Sequence, residues 1–316
     1  MSGSQTLNVF PERQATLEFA ILQGVLYAAL FDYPLTLAQL RQTLPQAVAD
    51  ETGVECCYWA SAFLRQHIDY QHGYFFPSGR GDLVDERRQR EVRSRALLEG
   101  NRWLLKLICS VPYTRLVALS GSVAHLNIDG RADLDLFVLT RGRLVWSVTV
   151  TILLLAKLLR RRPVVCVNYV LSDERLRLDQ QDLFTTNQII HLRPLVGGDL
   201  YRRFVEVNPF VSRFYPNFSA SGIEVADCRP GRILSLIKRV LERLGQAGPS
   251  QLYEAACRAA YARYLRRQAA SWQSPDQVRL ERDCLKLHTH SHRHDILARF
   301  EEAVDRALAR APAPSR

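Results

Sequence analysis

Apolar residues recur at helical spacing in the first part of the chain. Residues 15–30 (ATLEFAILQGVLYAAL) carry enough apolar side chains for a core helix. The segment Thr36–Gln39 is a capping box, so a second helix is expected to begin at Leu37. A third helix is predicted near 54–66, and the aromatic and β-branched residues after it surround two glycine turns. Three short helices and a hairpin predict a winged-helix-like unit over residues 1–85.

The pattern changes to alternating and continuous apolar runs in the middle of the chain. Residues 82–109 are first charged and then apolar at helical spacing, which predicts a long connecting helix. Strands are expected at 115–121, 133–140 and 163–172, with a helix at 144–161 between the last two. These elements predict a small mixed sheet with a helical crossover, right-handed if the two strands are parallel.

Beyond residue 182 the pattern is helical again, with one short irregular patch at Leu285–His294. The whole pattern predicts an α+β fold. Residues 86–200 would form a domain around this small mixed sheet, and 201–316 a helical C-terminal region.

Composition is that of a folded protein. The chain has 316 residues, enough for two or three units, of which 47% are hydrophobic and 23% are charged. Residues 1–14 do not resemble a secretory signal, and the apolar run 144–159 contains Lys157 and is too short to cross a bilayer. Seven scattered cysteines suit a reducing compartment. We therefore expect a cytoplasmic protein without membrane contact.

The net charge of +10 raises the question of nucleic-acid binding. Basic runs at 87–90 and 160–162 could contact phosphates, but solvated helix faces and helix ends are the favoured explanation. A DNA-binding winged helix usually inserts its second helix of the turn pair, and the segment after Leu35 contains one basic residue, Arg41. A structural or protein-interaction role of this unit is therefore favoured over DNA binding.

The sharpest chemical signal is the segment SGSVAHLNIDGRADLDLF at residues 120–137. In a strand, Asp133 and Asp135 point to one face, where two carboxylates repel each other unless a cation lies between them. Their hard oxygen ligands suit Mg²⁺ or Mn²⁺. Gly121 lets the backbone approach a ligand closely and Ser122 offers a hydroxyl and an N–H, so phosphate beside a metal is the predicted chemistry.

This Gly-Ser step followed by Asp-Leu-Asp resembles the signature of the DNA polymerase beta-like nucleotidyltransferase superfamily, and the likeness covers residues 115–172. The segments FDYPLT, NYVLS and YPN further resemble uncharacterised bacterial and archaeal proteins that carry this domain. The resemblance implies that Gly121 and Ser122 hold the β- and γ-phosphates of a nucleoside triphosphate. It also implies that Asp133 and Asp135 bind two metal ions.

The family places a third carboxylate on the next strand, where this chain has Asn168. An amide oxygen brings no charge and cannot accept a proton as a carboxylate does. Three alternatives follow: Asn168 is a weak ligand in a slow enzyme, Asp173 or Asp179 supplies the acid, or the domain binds a nucleotide without transferring it.

The leading hypothesis is a metal-dependent nucleotidyltransferase that moves NMP from an NTP to a hydroxyl of RNA, a small molecule or a protein. The alternative is a catalytically degenerate nucleotide-binding module that regulates or scaffolds a partner. Two further explanations of Asp133 and Asp135 are edge-strand charges that discourage aggregation and a glycosyltransferase metal site.

Other residues with candidate chemistry have simpler explanations. The alternating histidines of His288–His294 could bind zinc, but a loop that contacts other parts of the chain is favoured because no second ligand pair accompanies them. His125 and His191 lack an evident acid or nucleophile partner and are expected to be packed or at the surface. The side chains expected in the core, with base stacking as the alternative, are Trp103, Trp146 and Tyr169.

Overall fold

The N-terminal part combines four helices with a small antiparallel sheet. The computed structural model describes residues 16–130, 132–223, 225–246 and 248–309. The elements of this part are α1 (Leu17–Ala29), β1 (Leu35–Thr36), α2 (Leu37–Gln42), α3 (Glu51–Ala60), α4 (Ala62–His67), β2 (Ile68–Gln71) and β3 (Tyr74–Pro77). The strand order is β1-β3-β2. The capping box at Thr36 and Gln39 forms as the sequence predicts. The segment examined for a secretory signal lies outside the described residues.

The remaining elements build a six-stranded sheet covered by helices. They are α5 (Asp82–Gly100), α6 (Arg102–Cys109), β4 (Thr114–Leu119), α7 (Gly121–Ala124), β5 (Leu134–Thr140), α8 (Val145–Leu158), β6 (Val165–Ser172), α9 (Leu183–Ile190), β7 (Arg193–Val196), α10 (Gly198–Glu206), α11 (Phe210–Phe214), α12 (Arg232–Gln246), α13 (Pro249–Arg267), β8 (Val278–Leu280), β9 (Cys284–Leu287) and α14 (Arg293–Ala309). The strand order is β7-β4-β5-β6-β9-β8, in which β5 and β6 are parallel and the other neighbours antiparallel.

The α+β class is confirmed, and four details differ from the prediction. The third helix expected near 54–66 is two helices, α3 and α4, divided at Ser61. The long helix expected before the sheet is two helices, because the chain breaks at Asn101 between α5 and α6. The segment predicted to be helical after residue 182 contributes β7 to one edge of the sheet. The patch predicted to be irregular at Leu285–His294 begins within β9, which pairs with β6. The boundaries at residues 85 and 200 stay predictions.

Two hydrophobic cores lie on opposite faces of the central sheet because side chains alternate along its strands. On β5, Phe137 and Leu139 join the first core, whereas Leu136 and Val138 join the second. The first core extends through the N-terminal helices, α9 to α11 and α14, and the second through α6, α8 and α13. Each strand of the centre of the sheet is therefore buried on both faces.

Contacts distant in sequence close both cores. In the first, Phe300 of α14 packs edge-on against Tyr27 of α1 with ring centroids 5.2 Å apart. In the second, the buried carboxylate of Glu254 on α13 accepts hydrogen bonds from the backbone N–H groups of Trp146 and Ser147 (3.1 and 2.7 Å). These bonds satisfy donors at the N-terminus of α8 that have no partner within the helix.

No helix among the described residues combines the length and the apolar character needed to cross a lipid bilayer.

Candidate functional site

The Gly-Ser turn lies directly against β5. After β4 ends at Leu119, the N–H of Ser120 donates to the backbone oxygen of Asp135 (2.9 Å), which holds the turn to the strand. Gly121 has φ +63°, a left-handed value that glycine adopts without strain. A Cβ atom built on Gly121 would overlap Oδ2 of Asp135, so only glycine fits between the turn and this carboxylate. Ser122 follows at the surface.

The two aspartates differ in environment. Asp133 immediately precedes β5 and is exposed, whereas Asp135 lies within the strand and is half-buried. Burial raises the pKa of Asp135 to about 6; the hydrogen bond from Asn168 opposes this shift, and the charge of Asp133 adds to it. A cation bound beside Asp135 would lower this pKa, because it would stabilise the ionised form of the carboxyl group.

Asn168 occupies a β-bulge and both ends of its amide are engaged. The register with β5 shifts between Leu136 and Phe137, which leaves Asn168 as the extra residue of β6. Its Nδ2 donates to Oδ1 of Asp135 (2.5 Å), and its Oδ1 accepts from Sγ of Cys166 (2.7 Å). Burial raises the pKa of the Cys166 thiol to about 12, so the thiol keeps the proton that it donates. The amide oxygen thus faces Cys166 and not the aspartates.

Neither alternative acid reaches the aspartates. Asp173 follows the end of β6 that pairs with Thr140, whereas Asp135 lies near the opposite end of β5, and Oδ1 of Asp173 accepts from the N–H of Gly142 (2.7 Å). Asp179 forms an ion pair with Arg175 (2.8 Å). In the described part of the chain, no group of three or more His, Cys, Asp or Glu side chains could hold a metal ion.

The residues present fit one divalent cation better than two. Asp133 and Asp135 supply two carboxylates, the hard ligands that Mg²⁺ and Mn²⁺ prefer, and phosphate oxygens and water complete such sites. A second ion would need a further carboxylate, and Asn168 is the group found at that position. The chemistry of the donor set therefore supports a single ion shared with a phosphate.

A cavity of about 290 Å³ adjoins the Gly-Ser turn. It lies on the face of the sheet that carries Asp135 and Phe137. Its wall includes Ser120, Gly121 and Ser122, and most of the rest is aromatic or aliphatic. The aromatic lining residues are Tyr27, Phe31, Tyr33, Phe137, Tyr169, Phe184, Phe204 and Tyr215. None of the described residues that line it is Asp, Glu, Lys or Arg. The cavity suits an uncharged molecule.

Three histidines border this cavity and are neutral at pH 7. The rings of His125 and His191 lie 4.1 Å apart, centroid to centroid. Burial lowers the pKa of His125 to about 4, with the charge of Arg87 adding to the shift. Burial and the neighbouring His125 lower the pKa of His191 well below its usual value. Burial, assisted by Lys286, lowers the pKa of His288 to about 4.

The structure separates the other candidates. Trp146 is fully buried, as expected, but the prediction for Trp103 is wrong, since 43% of its surface is exposed. Tyr169 lines the cavity. His288 faces the cavity as well, whereas the three later histidines of His288–His294 are exposed.

The contact of Asn168 with Cys166 was not predicted from the sequence. The available signal was the Cys-Val-Asn segment, which places two polar side chains two residues apart within an apolar strand.

Comparisons of the chain with protein-family models, with curated proteins and with solved structures found no match.

Proposed function

We propose that the chain binds a nucleoside triphosphate together with one Mg²⁺ or Mn²⁺ ion at the Gly-Ser turn. The observation that carries the proposal is the close approach of Gly121 to the carboxylate of Asp135. A phosphate on the turn and a cation on the aspartates would therefore be neighbours, and each would neutralise the charge of the other.

We also propose that the central sheet is of nucleotidyltransferase type and that the N-terminal unit is winged-helix-like. The strand order β1-β3-β2 supports the second of these assignments.

The roles of the residues follow from their positions. Exposed Ser122 offers its hydroxyl to a phosphate oxygen, and Gly121 leaves the backbone open to the ligand. Asp133 and Asp135 would hold the cation, which supplies charge neutralisation to the phosphates when bound. Asn168 keeps Asp135 oriented through its amide hydrogen.

The presence of Asn168 favours nucleotide binding over efficient nucleotidyl transfer as the function of the site. Activation of an attacking hydroxyl requires a group that accepts a proton or a second metal held by a further acid. The amide of Asn168 accepts no proton, and its oxygen is bonded to Cys166. We therefore propose a nucleotide-binding module whose bound and free states regulate or scaffold a partner.

The experiment is calorimetric titration of the purified chain with a non-hydrolysable ATP analogue, with and without Mg²⁺. We expect Mg²⁺-dependent binding that Asp133→Ala and Asp135→Ala each weaken at least tenfold. Asp179→Ala is the matched control, because Asp179 is an exposed carboxylate outside the site. Equal affinities in all four proteins would refute the site.

Nucleotidyl transfer is a second candidate, favoured by the position of the cavity. Because Ser120, Gly121 and Ser122 form part of its wall, a molecule within it would lie beside the phosphates. The uncharged lining suits a small uncharged acceptor with a hydroxyl group better than it suits RNA. Incubation with α-labelled NTP and separate RNA, protein and metabolite fractions tests this, with the Asp133→Ala, Asp135→Ala double variant as control. Label incorporated only by the wild type would replace the binding module with a transferase.

A further inference from the structure

Helix α12 turns its apolar face away from the protein. Six apolar side chains form an outward stripe, with exposures from 44% at Val240 to 76% at Ile233. The stripe comprises Ile233, Leu236, Ile237, Val240, Leu241 and Leu244. Their spacing of three and four residues places them on one side of the helix. A surface helix normally buries such a stripe, so this helix is inverted relative to its usual orientation.

Polar groups hold α12 to the body of the protein. Nζ of Lys238 donates to the carbonyl oxygens of Cys109 (3.2 Å) and Thr114 (2.8 Å) and to the Thr114 hydroxyl (2.7 Å). The carboxylate of Glu242 accepts from the backbone N–H of Tyr113 (2.7 Å). A Cβ atom on Gly245 would overlap the Tyr113 hydroxyl, so the helix approaches closely at this point. The inverted orientation is thus fixed by specific contacts.

A row of arginines flanks the outward stripe. Arg232, Arg239 and Arg243 are exposed, and their spacings of seven and four residues place them along one edge of the stripe. The other charged groups of the helix, Lys238 and Glu242, are engaged with the body. The exposed charged side chains that α12 itself places beside the stripe are therefore all positive.

We infer that the outward stripe and its arginine row dock on an anionic lipid surface. An amphipathic helix with arginines beside its apolar face lies in the membrane interface, where the apolar side chains enter the acyl boundary and the cations meet acidic headgroups. A second copy of the chain fits less well, because it would bring another arginine row to the contact and the only carboxylate of the described part of α12 is already bonded. This peripheral contact departs from the sequence-based expectation of no membrane contact, although no described helix could span a bilayer. It does not depend on the nucleotide proposal.

Flotation with lipid vesicles tests the inference on the full chain. We expect the wild type to float with vesicles of phosphatidylcholine and phosphatidylglycerol and not with phosphatidylcholine alone. The double variant Ile237→Glu, Leu241→Glu should bind roughly tenfold less, because both side chains leave the acyl boundary. Val92→Glu on α5 is the matched control, because Val92 is an apolar side chain of 68% exposure outside the stripe, and it should float like the wild type.

Charge provides the second arm of the test. Arg239→Gln and Arg243→Gln should each lower the partition onto the anionic vesicles about fivefold. Absence of wild-type flotation, equal binding to neutral vesicles, or equal loss in Val92→Glu would each overturn the inference. A wild-type dimer that ignores vesicles and becomes monomeric in the double variant would overturn it too, and would assign the stripe to self-association.

Discussion

Asn168 on β6 lies beside Asp135, at the position where the sequence resemblance implies a third carboxylate. Its amide satisfies a carboxylate on one side and a thiol on the other. A half-buried amide with both ends bonded is costly to replace, because a substitution leaves Asp135 or Cys166 without this partner. Asn168 therefore holds the side chain of Asp135 in place in the metal-free protein.

Conversion of this amide to an acid should make the stability of the protein depend on metal. Asn168→Asp removes the donor to Asp135 and adds a like charge, so we expect the free energy of unfolding without metal to fall by about 1–3 kcal/mol. Mg²⁺ should restore it and bind more tightly than in the wild type. Urea unfolding with and without Mg²⁺ measures both effects.

The control is Asn217→Asp, which also loses an amide donor, in this case to the backbone oxygen of Gln46 (2.7 Å). Its stability should not respond to Mg²⁺. The assignment fails if Mg²⁺ stabilises both variants equally or neither of them.

Gly121 offers a separate test of the turn. Gly121→Ala introduces strain at positive φ and also an overlap with Asp135. Gly130→Ala has the same strain at φ +71° but open space around the new methyl group. We expect Gly130→Ala to cost about 1–2 kcal/mol of unfolding free energy and Gly121→Ala clearly more. Equal losses by chemical denaturation would show that the close approach to Asp135 does not matter.

Among elements, those with long apolar patterns were predictable and the shortest strands of the central sheet were not. Alternation over β5 and the continuous run of β6 located both strands within two residues at each end. The strands β7, β8 and β9 have three or four residues each, too few for a period of two to stand out. Their pairing depends on tertiary contacts at the two edges of the sheet. The bulge at Asn168 was unpredictable for the same reason, since it is defined only by the partner strand.

Helix α12 is attached through polar contacts, those of Lys238 among them, since the side chains of its apolar stripe are 44% to 76% exposed. Lys238→Met would leave the carbonyl oxygens of Cys109 and Thr114 without this donor, at about 1–3 kcal/mol. We expect faster hydrogen exchange in the amides of α12 and little change in β5. Arg239→Met serves as the control because Arg239 lies on the exposed side of the helix. Identical exchange in the two variants would contradict the role of Lys238.

At the scale of the whole molecule, the three cavity histidines link stability to pH. Their folded-state pKa values lie below the usual value of 6.5, so the folded state binds fewer protons than the unfolded chain. Their contribution is therefore fully present above pH 6.5 and is lost as the pH falls toward about 4. The raised pKa of Asp135 has the opposite effect on the pH dependence of stability, but it involves one group whereas the histidines are three.

We therefore expect the midpoint temperature of thermal unfolding to decrease as the pH is lowered from 7 to 5. His288→Gln should flatten this dependence, because it removes one of the three groups while keeping a polar side chain of similar size. Calorimetric scans across the range measure the slope. A midpoint that is constant or higher at pH 5 would show that burial of these histidines is not what governs acid stability.

The packing of α14 against α1 has a consequence for synthesis of the chain. Protein is made from the N-terminus, so α1 leaves the ribosome long before the residues of α14 exist. Until Phe300 arrives, Tyr27 and the apolar side chains around it lack their final cover. A nascent chain of this protein must therefore carry an open hydrophobic surface for most of its translation. Such a surface is the substrate that chaperones acting on growing polypeptides recognise.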